Sequence, residues 1–325
     1  LSVGEFIFWF TISLIIFLLS LKPSVLEIFY SVIQLSTNER YDRLILISYT
    51  SFFLIIAIVY YYRGKLKIIS ERQTRSIQYE AVNTFMENIR EVPNNDLIIV
   101  IPAYNEEENI FEIIENIPKK ICGFTPFVLT VSDGSEDSTN KILKEKKVFT
   151  AIHSINLGQC AAYRTGYKIA KNLKFRYLVH LDADGQYDPN EIEKLVKPLI
   201  DDSFDFISGS RTLGYYENKY ARSQIIRTLG IFIFNLLLTI LLRKKITDSA
   251  SGFRSINVTL LNKLNFKQNQ FHSTELLIEA ISKNAKFKEV PVSFLKRSAG
   301  ISKKPNAIKY GIGFLRTIIK TWLRN

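Results

Sequence analysis

Apolar residues are spread unevenly along the chain, and their spacing changes character near residue 96. Residues 6–21 form an uncharged apolar run of sixteen, and residues 44–62 a second run of nineteen that closes on Tyr60, Tyr61 and Tyr62. Runs of this length with aromatic residues at an end predict two membrane-spanning helices. Arg63, Lys65, Lys67, Arg72 and Arg75 follow the second run and outnumber Lys22, Arg40 and Arg43 between the two. The bias of basic residues toward the inner side then predicts an integral membrane protein with everything downstream on the cytoplasmic side. Residues 1–65 read as a membrane anchor. The polar stretch 66–95, helical in character and broken at Pro93, reads as a linker.

Beyond it the period shortens. Residues 97–101, 125–131, 148–152 and 176–181 are short runs rich in β-branched and aromatic residues, with helical patterns at 106–117 and 138–146 between them. Strands alternating with helices predict an α/β domain over 96–305, built on a mostly parallel, doubly wound sheet with helices on both faces. In such sheets ligands bind beyond the carboxyl ends of the strands. An eighteen-residue apolar segment, 225–242, is interrupted by Arg227, Gly230 and Asn235. Residues 306–325 carry an amphipathic helical pattern with Lys309, Arg316, Lys320 and Arg324.

Composition narrows the partners. With 325 residues, 47% of them hydrophobic, the chain can bury a sizeable core and keep apolar surface to spare. Its net charge of +12 asks for an anionic partner: nucleic acid, an acidic membrane or phosphorylated substrates. The basic residues are not interleaved with aromatic ones in any nucleic-acid module, which argues against nucleic acid. Cys122 and Cys160 make no disulfide framework, and the scattered His153, His180 and His272 make no zinc site.

The densest chemistry lies at Asp182-Ala183-Asp184-Gly185-Gln186, after the apolar strand 176–181. On extended backbone the two carboxylates point the same way and can grip one hard divalent cation, which completes its shell with phosphate. A turn closing a strand would have the same composition. Neighbouring motifs decide between the readings. Val100-Ile101-Pro102-Ala103-Tyr104-Asn105-Glu106, Val131-Ser132-Asp133-Gly134-Ser135-Glu136-Asp137, Asn156-Leu157-Gly158 and the Asp182 segment resemble, in this order, the motifs of family 2 glycosyltransferases with the GT-A fold. Asp248-Ser249-Ala250-Ser251-Gly252-Phe253-Arg254 and Glu289-Val290-Pro291-Val292-Ser293-Phe294-Leu295-Lys296-Arg297, with Gly300, Ser302 and Lys303 behind them, resemble the subgroup that makes dolichyl- or polyprenyl-phosphate sugars.

That resemblance implies an inverting hexosyltransferase that moves a sugar from a nucleotide-sugar donor to polyprenyl phosphate. It implies that Pro102, Ala103, Tyr104, Glu106, Gly158 and Ala183 line the nucleotide-sugar pocket and that Asp133 bonds the base or ribose. Ser132 stands where an aspartate is commoner. Asp182, Asp184 and Gln186 would hold Mg²⁺ or Mn²⁺, while Arg211, Arg254 and Arg297 offer guanidinium forks to phosphate. Asp248 is the expected base or acceptor-orienting carboxylate. A crossing at 225–242 would put Asp248 and Arg254 across the bilayer from Asp182, so this segment is expected to lie at the membrane interface, flanked by Arg222, Arg243, Lys244 and Lys245. The tail lies beside it or packs on the catalytic domain. Two spanning helices would also support homo-oligomers. Two other readings stay open: transfer to a glycan or lipid hydroxyl, and a catalytically silent nucleotide-sugar-binding scaffold.

Overall fold

The computed structural model describes residue 11 and residues 39–89, 96–215, 217, 222–296 and 307–325. The chain divides into two compact units, Leu1–Gln73 and Thr74–Asn325. Apart from Thr11, the run 6–21 lies outside the described residues. The run 44–62 falls on a continuous helix α1, Glu39–Asn88, where most side chains of 44–50 lie outside the described residues. Among the described residues no helix is long and apolar enough to cross a membrane. In the first unit Phe52, Phe53, Ile55, Val59, Leu66 and Ile69 are all exposed on α1.

The second unit is built on one seven-stranded sheet of order β3-β2-β1-β4-β6-β5-β7. Its strands are β1 (Leu97–Ala103), β2 (Phe127–Asp133), β3 (Phe149–His153), β4 (Tyr177–His180), β5 (Phe206–Ser210), β6 (Arg254–Asn257) and β7 (Phe287–Pro291). All pairings are parallel except those of β6, which runs antiparallel to β4 and β5. Strand β1 shows why the sheet is central. All seven of its residues are buried, with Ile98 and Val100 in one apolar layer and Leu97, Ile99 and Ile101 in the other. A strand buried on both faces reads as a continuous apolar run rather than an alternation.

Helices α2 (Ile110–Glu115), α3 (Thr139–Glu145) and α5 (Ile192–Asp201) supply Ile110, Ile113, Leu143 and Leu195 to the second layer. The first layer takes Tyr163 and Tyr167 from α4 (Gln159–Asn172), Leu238 from α6 (Arg222–Leu242), Leu276 from α7 (His272–Ser282) and Phe314 from α8 (Ala307–Trp322). A Cβ on Gly166 would lie 2.5 Å from Val100 Cγ1, so only glycine lets α4 seat this close to β1.

One expectation changes here. The stretch 66–95 is helical to Asn88, and its later turns are part of the domain rather than a linker: Ala81, Val82 and Phe85 are buried, and Gln78 Nε2 donates to the Ala161 carbonyl at 2.8 Å. Positions 78, 81, 82 and 85 form a helical stripe thinned by polar residues, which hid it in the sequence. The C-terminal helix packs on the domain and also touches α6, with the Phe234 and Phe314 rings 4.8 Å apart. Phe314 and Ile318 turn inward, while Ile312, Leu315, Ile319 and Trp322 stay exposed. Helix α6 repeats this pattern, burying Leu238 and exposing Phe232, Ile233, Leu236 and Ile240.

Candidate active site

The antiparallel β6 assembles the site. Arg254, its first residue, pairs with His180 of β4 and Ser208 of β5, so the amino end of β6 lies level with the carboxyl ends of its neighbours. The loop 248–253 therefore enters beside the turns that follow β4 and β5. Pro102 and Ala103 end β1 as buried residues, while Tyr104 and Glu106 are partly buried. Asn105, at φ 52°, accepts at Oδ1 from the Glu136 amide (2.9 Å), and its own amide donates to Ser135 Oγ (3.2 Å). The Glu106 amide donates to Thr139 Oγ1 at 3.0 Å. The first two motifs are thus laced together. Ser132 is buried and donates to Ser135 Oγ at 3.1 Å, a local partner for a hydroxyl where the resemblance expected a carboxylate.

Asp133 is placed differently from the expectation that it bonds the base or ribose. It is buried, and its Oδ1 lies 2.7 Å from His153 Nδ1 and accepts from the Leu157 amide (3.0 Å), while Oδ2 accepts from the Gly158 amide (2.7 Å). Both oxygens therefore hold the Asn156-Leu157-Gly158 loop and the start of α4. Gly158 sits at φ 90°, a conformation open to glycine.

Asp182, Asp184 and Gln186 come together in one turn, though not through extended backbone. Strand β4 ends at His180, the chain turns at Ala183 and Asp184, and Gly185 takes φ 70°. Ala183 is buried. Asp182 Oδ1 accepts from Gln159 Nε2 (2.8 Å) and the Tyr163 hydroxyl (3.1 Å). Asp184 Oδ1 accepts from the Gln186 amide at 3.2 Å, and Gln186 pairs with Leu295, whose amide donates to its carbonyl at 2.8 Å. Among the described residues no group of three or more His, Cys, Asp or Glu is placed to hold a metal ion. Two carboxylates and an amide remain a fitting donor set for a hard cation that keeps water and takes phosphate oxygens. The 248–253 loop closes on this turn: a Cβ on Gly252 would lie 2.3 Å from Asp182 Oδ2. Gly252→Ala is expected to displace that carboxylate and lower turnover about tenfold or more, with the melting temperature little changed, as kinetics and thermal unfolding would report.

Asp248, expected as base or acceptor-orienting carboxylate, and Arg211, expected at phosphate, form a bidentate pair shielded from water, Arg211 Nε to Oδ2 and Nη2 to Oδ1 both at 2.7 Å, with the Arg211 amide donating to Oδ2 at 3.0 Å. Burial alone would raise the Asp248 pKa, but Arg211 outweighs it and holds the carboxyl below its ordinary value. Behind it Glu289 accepts from the Asp248 amide (3.0 Å) and the Thr247 amide (2.8 Å). Asn235 of α6 takes the Ser249 amide (3.0 Å) and donates to the Thr247 carbonyl (2.6 Å). Neither Glu289 nor Asn235 was picked out as a site residue. Asn235 interrupts an apolar helix, and such a break is the signal for a buried polar contact.

Arg254 does not reach the site as a phosphate ligand. It is fully buried, with Nε and Nη2 donating to the carbonyls of Ser251 (2.8 Å) and Ser249 (3.0 Å) and Nη1 to that of Ser273. Burial lowers its pKa to about 10, so it stays charged at neutral pH and clamps the 248–253 loop. Arg297 lies outside the described residues, as do Gly300, Ser302 and Lys303.

Beneath Asp182 the Tyr167 hydroxyl lies 2.8 Å from His180 Nε2 and 2.5 Å from His272 Nε2. Burial pushes His272 from 6.5 down to about 3, with Arg164 and Arg254 adding to it. Below pH 6.5 the unfolded chain therefore binds a proton that the folded chain refuses, and stability falls as pH drops toward 3. Acidification from pH 7 to 5 is expected to cost about 2 kcal/mol through His272 alone, and His272→Gln should flatten that slope in denaturant titrations.

The chain is 30% identical to the "UDP-N-acetylglucosamine--dolichyl-phosphate N-acetylglucosaminyltransferase" of Methanococcus voltae, over 67% of this chain and 92% of that protein. It is 27% identical to the polyprenol monophosphomannose synthase of Mycolicibacterium smegmatis, over 65% of this chain and 82% of that one. The fold is similar to that of glucosyl-3-phosphoglycerate synthase from Mycobacterium tuberculosis, solved with Mn²⁺, uridine diphosphate and glucosyl-3-phosphoglycerate, at a TM-score of 0.54 and 17% identity over 71% of this chain and 80% of that one. This is a GT-A-like α/β fold with a mostly parallel seven-stranded sheet. The family model for glycosyl transferase family 2 matches residues 98–264, the stretch holding every site element from β1 to β6, and the chain belongs to that family.

Proposed function

We propose that the protein is a membrane-anchored, inverting glycosyltransferase that moves a sugar from a nucleotide-sugar donor to polyprenyl phosphate. The observation that carries this reading is the Arg211–Asp248 pair. A carboxylate gripped by guanidinium at 2.7 Å on each oxygen and held below its ordinary pKa is a poor proton acceptor. A hydroxyl acceptor would need a base. A phosphate monoester, with a second pKa of about 6, arrives already ionised and needs a positive site that places it. The names of the Methanococcus voltae and Mycolicibacterium smegmatis relatives point the same way.

In the reaction the acceptor phosphate oxygen attacks the anomeric carbon in line, the bond to the donor diphosphate breaks, and nucleoside diphosphate leaves with the electron pair. No proton needs to move when the acceptor is a dianion. Asp182, Asp184 and Gln186 would hold Mg²⁺ or Mn²⁺, which when bound would offset the charge developing on the leaving diphosphate. Arg211 presents its guanidinium beside this turn, Asp248 fixes that guanidinium, and Arg254 holds the loop that carries Asp248.

Membrane attachment belongs to the same proposal. The apolar runs 6–21 and 44–62 would supply two spanning helices, with the catalytic domain on the cytoplasmic side. The exposed apolar stripes of α6 and α8, with exposed Arg243, Lys244 and Lys245 at the end of α6, suit an anionic leaflet where a polyprenyl chain resides. The test uses purified protein in detergent with Mg²⁺ or Mn²⁺, a panel of nucleotide sugars, and polyprenyl phosphate present or absent. Nucleoside diphosphate release that requires the lipid phosphate, with a lipid-linked sugar as product, is expected. Transfer to hydroxyl acceptors alone, or donor binding with no turnover, would overturn the proposal.

A further inference from the structure

Asp182 stands on a turn just past the end of β4, partly exposed, where a carboxylate would ordinarily sample several rotamers. Two donors from one face of α4 restrain it. Gln159 and Tyr163, one helical turn apart, both donate to Oδ1, at 2.8 and 3.1 Å. Gly252 leaves room beside the other oxygen, where any Cβ would collide.

The Tyr163 ring is itself immobilised. It is buried in a stack with ring centroids 4.4 Å from His180, 5.1 Å from His272 and 6.4 Å from Tyr167. The Tyr167 hydroxyl in turn bonds both imidazoles. A carboxylate held by a rigid buried phenol keeps the orientation that a cation and a diphosphate require, and such supporting bonds commonly govern metal affinity.

We infer that Tyr163, assisted by Gln159, is a positioning residue that fixes the Asp182 carboxylate for the divalent cation and the donor diphosphate. This rests on the proposed reading of Asp182 as a metal ligand. The simpler alternative is that Asp182 merely satisfies a buried hydroxyl, in which case losing the hydroxyl alters stability and leaves cation affinity alone.

The experiment is an electron paramagnetic resonance titration of the full chain in detergent with Mn²⁺ alone, comparing the unmutated protein with Asp182→Asn, Tyr163→Phe and Gln159→Ala. Tyr163→Phe keeps the ring and its stack; Gln159→Ala alters an exposed side chain and guards against a folding defect in the first variant. The expected result is Mn²⁺ affinity about tenfold weaker in Tyr163→Phe and weaker in Gln159→Ala. In turnover assays the KM for Mn²⁺ should rise in step, with kcat at saturating Mn²⁺ within a few-fold of the original. Affinities within twofold in both variants, while Asp182→Asn loses binding, would overturn the role of Tyr163 and leave the metal reading standing. If the unmutated protein shows no saturable Mn²⁺ binding, or Asp182→Asn binds as well as it does, the metal reading fails and takes this inference with it.

Discussion

Asp184→Ala is expected to lower transfer by about 10²–10³-fold while the protein still folds. The two halves of this expectation rest on different features. Asp184 is partly exposed on the turn after β4, and its carboxylate accepts from the Gln186 amide in its own turn at 3.2 Å. Losing such a bond costs roughly 1 kcal/mol, a small part of a domain's stability. The chemical loss is larger on the proposed reading, because a hard cation held by two carboxylates and an amide would lose one of its two charged ligands. Asp184→Asn separates the two effects, since it keeps an oxygen for the Gln186 amide and removes the charge. Both variants should lose turnover alike, measured as nucleoside diphosphate release, with thermal unfolding close to the original. Turnover retained in Asp184→Ala would remove the metal from the proposed mechanism.

The sequence made the central strands legible for a physical reason. Strand β1, Leu-Ile-Ile-Val-Ile-Pro-Ala, is buried on both faces and can hardly be anything else. The far side of the sheet gave weaker signals. Strand β7, Phe-Lys-Glu-Val-Pro, lies at the sheet edge and keeps polar side chains, β5 ends in Ser-Gly-Ser, and β6 opens on a buried arginine. Each departs from the period-two pattern because of where it sits rather than what it is. The helical stripe from Gln78 to Phe85 was masked by the glutamates and asparagines around it.

At the site, the sequence located the charged residues but not the direction in which they act. A motif places a carboxylate at a strand end, and only the fold says whether it faces a ligand or its own backbone. Asp133 spends both oxygens on the loop before α4, and Arg254 spends its guanidinium on three carbonyls. These partners come from residues up to 25 positions away in sequence for Asp133, so no local spacing foretells them. Asp182 and Asp184 precede a glycine turn that leaves both partly exposed, which is as far as their local sequence carries.

Asp248→Ala should have the largest effect on stability, a loss of about 3–5 kcal/mol in denaturant unfolding. The variant removes one half of a buried bidentate pair and leaves the Arg211 guanidinium, mostly shielded from water, without its counter-charge. Replacing both partners together, Arg211→Met with Asp248→Leu, should recover much of that loss, because two apolar side chains desolvate at no cost. Transfer should not recover with it, since the positive charge offered to the acceptor phosphate is gone.

The same pair fixes what the pH profile should look like. Because its folded pKa is depressed, Asp248 contributes its stability above its ordinary value of 3.8 and gives it up only as pH falls further, through the folded value. It therefore keeps one charge state across pH 5–8, and an acid limb near pH ~6 is the one expected of a phosphate monoester acceptor. Asp248→Asn, measured on its residual activity, should keep that limb where it is while lowering its height. A limb displaced by the substitution would make Asp248 a titrating base, and the acceptor would then have to be a hydroxyl.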